Sequence, residues 1–215
     1  MSEKPMPNIG ADLQRIHRVV TRGLSVAQEN CQTFASNGFP DEATREGFWK
    51  YCLGLEAIAL GHHLAEDELF FPYLRERLPA TDFDSLEAEH QQMLATLEKM
   101  RQARESGSLE ALGTALSEMN ALWHPHIEQE ETQFSPEIAA EVMTVQEHIS
   151  LAQQAAVFSQ QHTNPAPLAI PFLFYNLEGD DRAHFMRVMP PEITQQLVPV
   201  VWKDEWAPMK PFLLD

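Results

Sequence analysis

The chain has 215 residues, and its 15 Lys and Arg residues against 32 Asp and Glu residues give a formal net charge of −17 at pH 7. This balance argues against nucleic-acid binding, because affinity for phosphate backbones comes from clustered Lys and Arg. A hydrophobic content of 44% is too high for a disordered chain. No apolar run reaches the ~18 residues of a membrane span, and the first ten residues lack the apolar core of a signal peptide. We therefore predict no membrane partner. The chain has only two cysteines, too few for a disulfide scaffold, so we predict a cytoplasmic protein in which both thiols are buried.

Four long segments that are poor in Gly and Pro read as helices. The predicted ranges are 10–37, 41–74, 82–105 and 108–134, with short Gly- or Pro-containing turns between them. Each segment carries an apolar stripe at alternating three- and four-residue spacing. Asp84 followed by Glu87 predicts a capping box for the third helix. We therefore predict an all-α fold, an up-down-up-down four-helix bundle.

The chain changes character after Pro136. Apolar spacing predicts a fifth helix to about residue 162, and a short helix is expected near Asp180–Met189. The segment from Asn164 holds eight of the fifteen prolines and many aromatic residues. We divide the chain into a four-helix bundle, 1–136, and a helical, Pro- and aromatic-rich C-terminal extension, 137–215. The extension should pack on the bundle or on a second subunit, which would make a homodimer.

A repeated motif lies on the second and fourth predicted helices. The copies read His62-x-x-x-Glu66-Asp67-x-x-Phe70-x-Pro72 and His126-x-x-x-Glu130-Glu131-x-x-Phe134-x-Pro136. Each copy is preceded by a helix with one inward histidine, His17 or His90. Residues four apart lie on one helix face, so each histidine–glutamate pair offers a nitrogen and a carboxylate to one point.

The six residues are expected at one height in the bundle. In an antiparallel hairpin, facing residues have their midpoint at the turn, and the pairs His17–His62, Glu66–His90 and His90–His126 meet this condition. Four nitrogens and two carboxylates suit two divalent ions of the iron class. The alternative is a set of core histidines and surface glutamates. Burial of two unpaired carboxylates costs several kcal/mol each, and a cation removes that cost.

At these residues the chain resembles the hemerythrin-like, or HHE cation-binding, family, over about residues 10–136. The resemblance implies a non-haem di-iron centre with two carboxylate bridges. Carried over position by position, the implied metal ligands are His17, His62, Glu66, His90, His126 and Glu130, with Glu66 and Glu130 bridging. Manganese or zinc could occupy the same ligands.

The chain departs from the respiratory members of that family at two positions. Leu94 stands where they have a second histidine on the third helix, and their last carboxylate corresponds to Glu131, beside Glu130. Glu131 is therefore a further candidate ligand. A missing ligand would leave one iron more open, which favours reaction over reversible oxygen carriage.

Another side chain could fill the place left by Leu94, and His63 is the first candidate. It lies about 60° around the helix from Glu66, so it could flank the site. Its other role would be a hydrogen-bonding or solvent-facing neighbour. The remaining histidines have no motif or point away from the stripe; they are His124, His148, His162 and His184.

The predicted function is a non-haem di-iron protein that binds or reacts with O2, peroxide or NO, in sensing, scavenging or oxidation. One alternative is a di-iron oxidase or oxygenase that acts on a small organic substrate. Another is an iron-responsive interaction module. A cavity of roughly 300 Å³ or more above the metals would favour the enzyme. Unfolding on metal removal would favour the module.

Overall fold

The computed structural model describes residues 7–215, and all of its regular elements are helical. The α-helices are α1 Ile9–Asn37, α2 Glu42–Ala65, α3 Phe71–Arg75, α4 Phe83–Ser106, α5 Leu109–Gln133, α6 Pro136–Val142, α7 Val145–His162, α8 Ala166–Tyr175, α9 Gly179–Val188 and α10 Lys203–Trp206. Two π-helical segments, Glu66–Phe70 and Ile193–Val201, and a 3-10 helix, Ala207–Phe212, complete the set. The all-α prediction is confirmed. In the described range no helix is long and apolar enough to cross a membrane.

The starts of the long helices follow from local capping. The side chain of Asn8 accepts a hydrogen bond from the Ala11 N–H and begins α1. The predicted capping box of the third helix is wrong, because the N-cap of α4 is Asp82, two residues before Asp84, and its side chain accepts the bond from the Ser85 N–H. Asp84 and Glu87 instead pair with Arg75, each at 2.6 Å.

Two predicted helices are interrupted. The second continues beyond α2 through one π-helical turn, in which the Phe71 N–H bonds to the Glu66 carbonyl five residues earlier. Pro72 has no N–H to continue the regular pattern. The predicted fifth helix is two helices, because Met143 is extended and Thr144 with Glu147 forms a capping box that begins α7.

Four long helices enclose the core. α1 contacts α2, α2 contacts α4, α4 contacts α5 and α5 contacts α1, which is the cyclic order of a four-helix bundle. The alternating up-and-down direction remains a prediction. The largest fully buried side chains of these helices include Trp123, Phe48, Tyr51, Leu24, Leu55, Met93 and Met100. Cys31 and Cys52 are free and buried, as predicted.

The C-terminal segments pack against α2 along a stripe of glycines. Gly47, Gly54 and Gly61 are seven residues apart and so lie on one helix face. A Cβ at Gly54 would lie 2.9 Å from the Phe172 ring, and Cβ atoms at Gly47 and Gly61 would collide with Pro208 and Thr163. The missing side chains thus let α8 and the 3-10 helix approach α2 closely. The division at residue 136 remains a prediction.

A buried polar cluster also ties the extension to the bundle. The Arg22 guanidinium donates to the Tyr51 hydroxyl at 3.3 Å, to the Phe212 carbonyl at 3.1 Å and to the Asn176 side-chain oxygen. The Tyr51 hydroxyl donates to the same Asn176 oxygen at 2.8 Å. These bonds join α1, α2 and the chain after α8 at one point.

Candidate metal centre

The bundle brings the six residues of the predicted ligand set together. They come from α1 (His17), α2 (His62), the first residue of the π-helical turn (Glu66), α4 (His90) and α5 (His126 and Glu130). None of the six is more than 7% exposed. Their potential metal-binding atoms form two adjacent groups.

The first group consists of His17, His62, Glu66 and Glu130, each with one potential ligand atom within 4.8 Å of the others. The His17 Nε2 is 3.2 Å from Glu130 Oε2. The His62 Nε2 is 3.3 Å from Glu66 Oε2. Two imidazoles and two carboxylates therefore face a common point.

The second group consists of His63, His90 and His126, under the same 4.8 Å limit. The Nε2 atoms of His90 and His126 face each other at 2.9 Å. The His126 Nε2 is 3.2 Å from Glu130 Oε1, the oxygen that does not approach His17. Glu130 thus presents one oxygen to each group. The Oε2 of Glu66 also lies 3.5 Å from the His90 Nε2, so both glutamates lie between the groups.

His63 is fully buried in the second group, which excludes the solvent-facing role that the sequence left open. Its ring centroid is 4.6 Å from that of His90 and 6.1 Å from that of His126. Leu94 is half-buried and packs against the apolar core. The third imidazole of this group therefore comes from α2 instead of α4.

Glu131 lies in neither group. Instead, the outer nitrogen of His17, Nδ1, donates to Glu131 Oε1 at 2.9 Å. Two acids that the sequence did not single out have equivalent places: the His90 Nδ1 donates to Asp67 Oδ1 at 2.6 Å, and the His126 Nδ1 donates to Glu89 Oε2 at 2.8 Å. The sequence did contain a signal for two of these acids, because Asp67 and Glu131 each directly follow the glutamate of a repeated motif.

The nitrogen and oxygen atoms that face the centre of the two groups show whether the site fits a cation. Seven buried side-chain atoms of the two groups have no hydrogen-bond partner among the described residues; these are Nε2 of His17 and His62, both ring nitrogens of His63, Oε2 of Glu66 and both carboxylate oxygens of Glu130. Such groups cost free energy when buried without partners, and a cation ligated by nitrogen and oxygen removes that cost. The donor atoms of these groups therefore fit a metal cation.

Electrostatics at the centre are set by burial and by mutual contact. Burial lowers the pKa of His62 and His63 well below the usual range. The pKa of Glu66 lies well above its usual range, because the carboxylate is buried and because the negative charge of Glu130 is close to it. Burial opposes ionisation of Glu130, but the close approach of the His126, His17 and His90 rings holds its pKa well below the usual range. Burial also disfavours protonation of His90, but its contacts with the Asp67 and Glu130 carboxylates outweigh this effect and raise its pKa to about 9.

Aromatic rings close the centre on two sides. Trp123 is fully buried and meets the His17 ring edge-on at 5.7 Å, and its Nε1 donates to Thr21 Oγ1 at 2.8 Å. On the other side, Phe71 stacks on His90 at 5.3 Å. Two surface cavities of about 480 and 440 Å³ are lined by the α4–α5 hairpin and by α7 with Leu69, away from the ligand groups.

The other histidines have ordinary structural places, as predicted. The His148 Nδ1 accepts a hydrogen bond from the Ile9 N–H at 3.2 Å, and the His184 Nε2 lies 2.9 Å from Asp12 Oδ1. His162 stacks on Phe158 at 4.0 Å, and His124 is exposed. None of the four belongs to either ligand group.

Comparison with known proteins gives one result for this part of the chain. The family model described as Hemerythrin HHE cation binding domain matches residues 9–138, which include every residue of both ligand groups. No curated protein and no solved structure matches the chain.

Proposed function

The chain belongs to the hemerythrin HHE cation-binding family, since the family model matches more than half of it, and from this premise we propose a non-haem di-iron protein that binds or reacts with O2, peroxide or NO. The observation that carries the proposal is the convergence of partnerless buried nitrogens and carboxylate oxygens in two adjacent groups. The family match and the two ligand groups together support metal binding. The identity of the metals and their reaction with O2, peroxide or NO are our proposal.

In the proposed centre, His17 and His62 hold one metal, and His63, His90 and His126 hold the other. Glu66 and Glu130 lie between the two groups and would bridge the ions. Imidazole and carboxylate suit iron, and they also suit manganese or zinc. Iron would supply the one-electron redox chemistry that O2, peroxide and NO require.

The assignment of His63 changes the expectation that was drawn from Leu94. With three imidazoles at the second position, the more open position is the one that has only His17 and His62. A small ligand would then bind on the α1–α2 side of the centre. This side is the one that Trp123 covers with its ring edge.

Enclosure of the centre supports a small ligand over an organic substrate. All five histidines and both glutamates are at most 7% exposed, and Trp123 and Phe71 lie against their rings. The two surface cavities are large enough for an organic molecule but lie elsewhere. The oxidase or oxygenase alternative therefore has less support than sensing or scavenging.

An iron-responsive interaction module is the second candidate function. The packing of the C-terminal extension on α2, the helix that carries His62 and His63, supports it, because metal loading could be transmitted along this helix. A homodimer formed through the extension and a cytoplasmic location also remain predictions.

Anaerobic reconstitution with Fe²⁺ tests the proposal. We expect two ions per chain in the natural protein and at most one in Glu130→Ala, because the two Glu130 oxygens face different groups. His148→Ala is the matched control and should bind two. Optical spectroscopy on exposure to O2, peroxide or NO should then show a change. A limit of one ion per chain would reject the paired centre, and two ions without any response would favour the interaction module.

A further inference from the structure

We propose that Asp67, Glu89 and Glu131 are positioning residues, which fix the orientation and the tautomer of three metal-binding imidazoles before any metal arrives. The inference deepens the proposed function and rests on it. Its starting point is the set of three short contacts, 2.6, 2.8 and 2.9 Å, between these carboxylates and the outer nitrogens of His90, His126 and His17.

The three acids share a sequence rule. Each is the immediate neighbour of a ligand on its own helix: Asp67 follows Glu66, Glu89 precedes His90 and Glu131 follows Glu130. Each nevertheless contacts the imidazole of a different helix. Adjacent residues on a helix point about 100° apart, so the acid can reach sideways while its neighbour points inward.

The contacts run in one direction around the bundle. Asp67, on the turn that continues α2, contacts α4; Glu89, on α4, contacts α5; and Glu131, on α5, contacts α1. The series stops at α1, where His17 is flanked by Ile16 and Arg18. Accordingly, neither ring nitrogen of His63 on α2 has a hydrogen-bond partner among residues 7–215.

The chemistry of the pair determines the tautomer. An ionised carboxylate only accepts hydrogen bonds, so the imidazole must carry its proton on Nδ1. In the neutral ring the Nε2 lone pair is therefore the one available to a metal, and in all three histidines Nε2 is the atom that faces the ligand groups. A carboxylate partner also makes the imidazole a stronger base and a better metal ligand.

The three acids are partly exposed to solvent. The side chains of Asp67, Glu89 and Glu131 are 18%, 32% and 36% exposed, whereas the histidine side chains they contact are at most 3% exposed. Each imidazole thus lies between a solvated carboxylate and the dry centre. A purely structural role would instead make the acids matter equally with and without metal.

The test uses the full chain with Zn²⁺ as the probe, titrated in competition with a chelator. Asp67→Asn, Glu89→Gln and Glu131→Gln keep the size of the side chain but remove the obligatory acceptor, and each should weaken binding about 10–100-fold. The first two should affect the ion held by His90 and His126, and the third should affect the ion held by His17. Glu68→Gln and Glu128→Gln are matched controls, since both residues are exposed acids on the same segments.

The readouts separate the possible outcomes. Variants that bind Zn²⁺ as the controls do, or that lose only the stability of the metal-free protein, would overturn the inference while leaving the proposed centre intact. Absence of Zn²⁺ binding in the natural protein would instead overturn the proposed function. If a variant does not fold, nitrogen-15 NMR of the Zn²⁺-loaded natural protein decides: we expect exchange-protected Nδ1 protons on His17, His90 and His126, and their absence would contradict the inference.

Discussion

At the residue scale, His63 best distinguishes a metal ligand from a core histidine. A core histidine contributes to stability through its hydrogen bonds, but the buried ring of His63 makes none within the described part of the chain. It is therefore expected to cost free energy in the metal-free protein and to contribute only when a metal is bound.

His63→Leu should have opposite effects on the two forms. The metal-free protein should gain about 1–3 kcal/mol in free energy of unfolding, because an unsatisfied buried polar side chain is replaced by an apolar one of similar size. The same variant should lose one of the two metals. Denaturant unfolding and metal counting measure the two effects, and a loss of stability in the metal-free form would show that His63 is structural.

The double variant His63→Leu/Leu94→His tests the same assignment by rescue. Leu94 is one turn beyond His90 on the same helix face, so an imidazole there should reach the second position. We expect the double variant to recover the second metal and Leu94→His alone to retain two. Failure of rescue, together with normal folding, would show that a side chain at position 94 does not reach the metal held by His90 and His126.

Proton release should accompany metal binding. The Asp67 and Glu130 carboxylates raise the pKa of His90 to about 9, so at pH 7 its imidazole carries an additional proton that a metal must displace; contacts with Glu130 and Glu131 raise the pKa of His17 in the same direction. Metal affinity should therefore rise as the pH increases from 7 towards 9. Titration calorimetry in buffers with different ionisation enthalpies counts the released protons, and a pH-independent affinity over this interval would contradict the prediction.

At the element scale, α2 serves two purposes on different faces. Its C-terminal end supplies His62 and His63, and its glycine stripe receives Phe172, Pro208 and Thr163. The π-helical turn that follows begins at Glu66, and π-helical turns inside helices are common at functional sites. The same helix therefore contacts the metal centre and the C-terminal extension.

Gly54→Ala should lower the free energy of unfolding by about 1–3 kcal/mol, because its Cβ would lie 2.9 Å from the fully buried Phe172 ring. Gly113→Ala in α5 is the matched control. Its Cβ would meet only the Cys31 sulfur at 3.6 Å, an ordinary contact, so the better helix propensity of alanine should stabilise the protein by up to about 1 kcal/mol. Denaturant unfolding of both variants measures the difference, and equal effects would contradict the close packing of α8.

At the scale of the whole molecule, the centre joins helices that are distant in sequence. His17 and Glu130 are 113 positions apart, yet their side-chain atoms lie 3.2 Å apart. Without metal, the polar atoms that face the centre are buried without hydrogen-bond partners. Their burial costs free energy and destabilises the folded bundle. Metal binding should therefore stabilise the entire bundle.

Metal removal should lower the thermal unfolding temperature. At a free metal concentration 100 times the dissociation constant, binding of one ion contributes about 2.7 kcal/mol. For a chain of this size that corresponds to roughly 5–11 °C. Calorimetry with and without a chelator measures the shift, and Glu130→Ala should show a smaller one. Identical unfolding temperatures with and without metal would contradict a centre in the bundle interior.

The sequence by itself determined the helical stripes, the duplicated motif and the common height of its six residues. These depend on spacing along single helices and on turn positions, which are local properties of the chain. Apolar periodicity could not show the π-helical turn after α2 or the break before Thr144, since both leave the stripe nearly unchanged. The N-cap is Asp82 instead of Asp84, a shift of two residues that apolar spacing cannot resolve.

Only the tertiary structure decided which side chains meet across helices. Whether His63 faces the centre or solvent depends on the rotation of α2 against its neighbours, and spacing within α2 leaves that angle free. The sequence did not show which histidine each of Asp67, Glu89 and Glu131 contacts, because only the packing of α1, α4 and α5 brings histidine nitrogens within 3 Å of these acids. Contacts between helices arise from the mutual fit of whole faces, and no single segment contains that information.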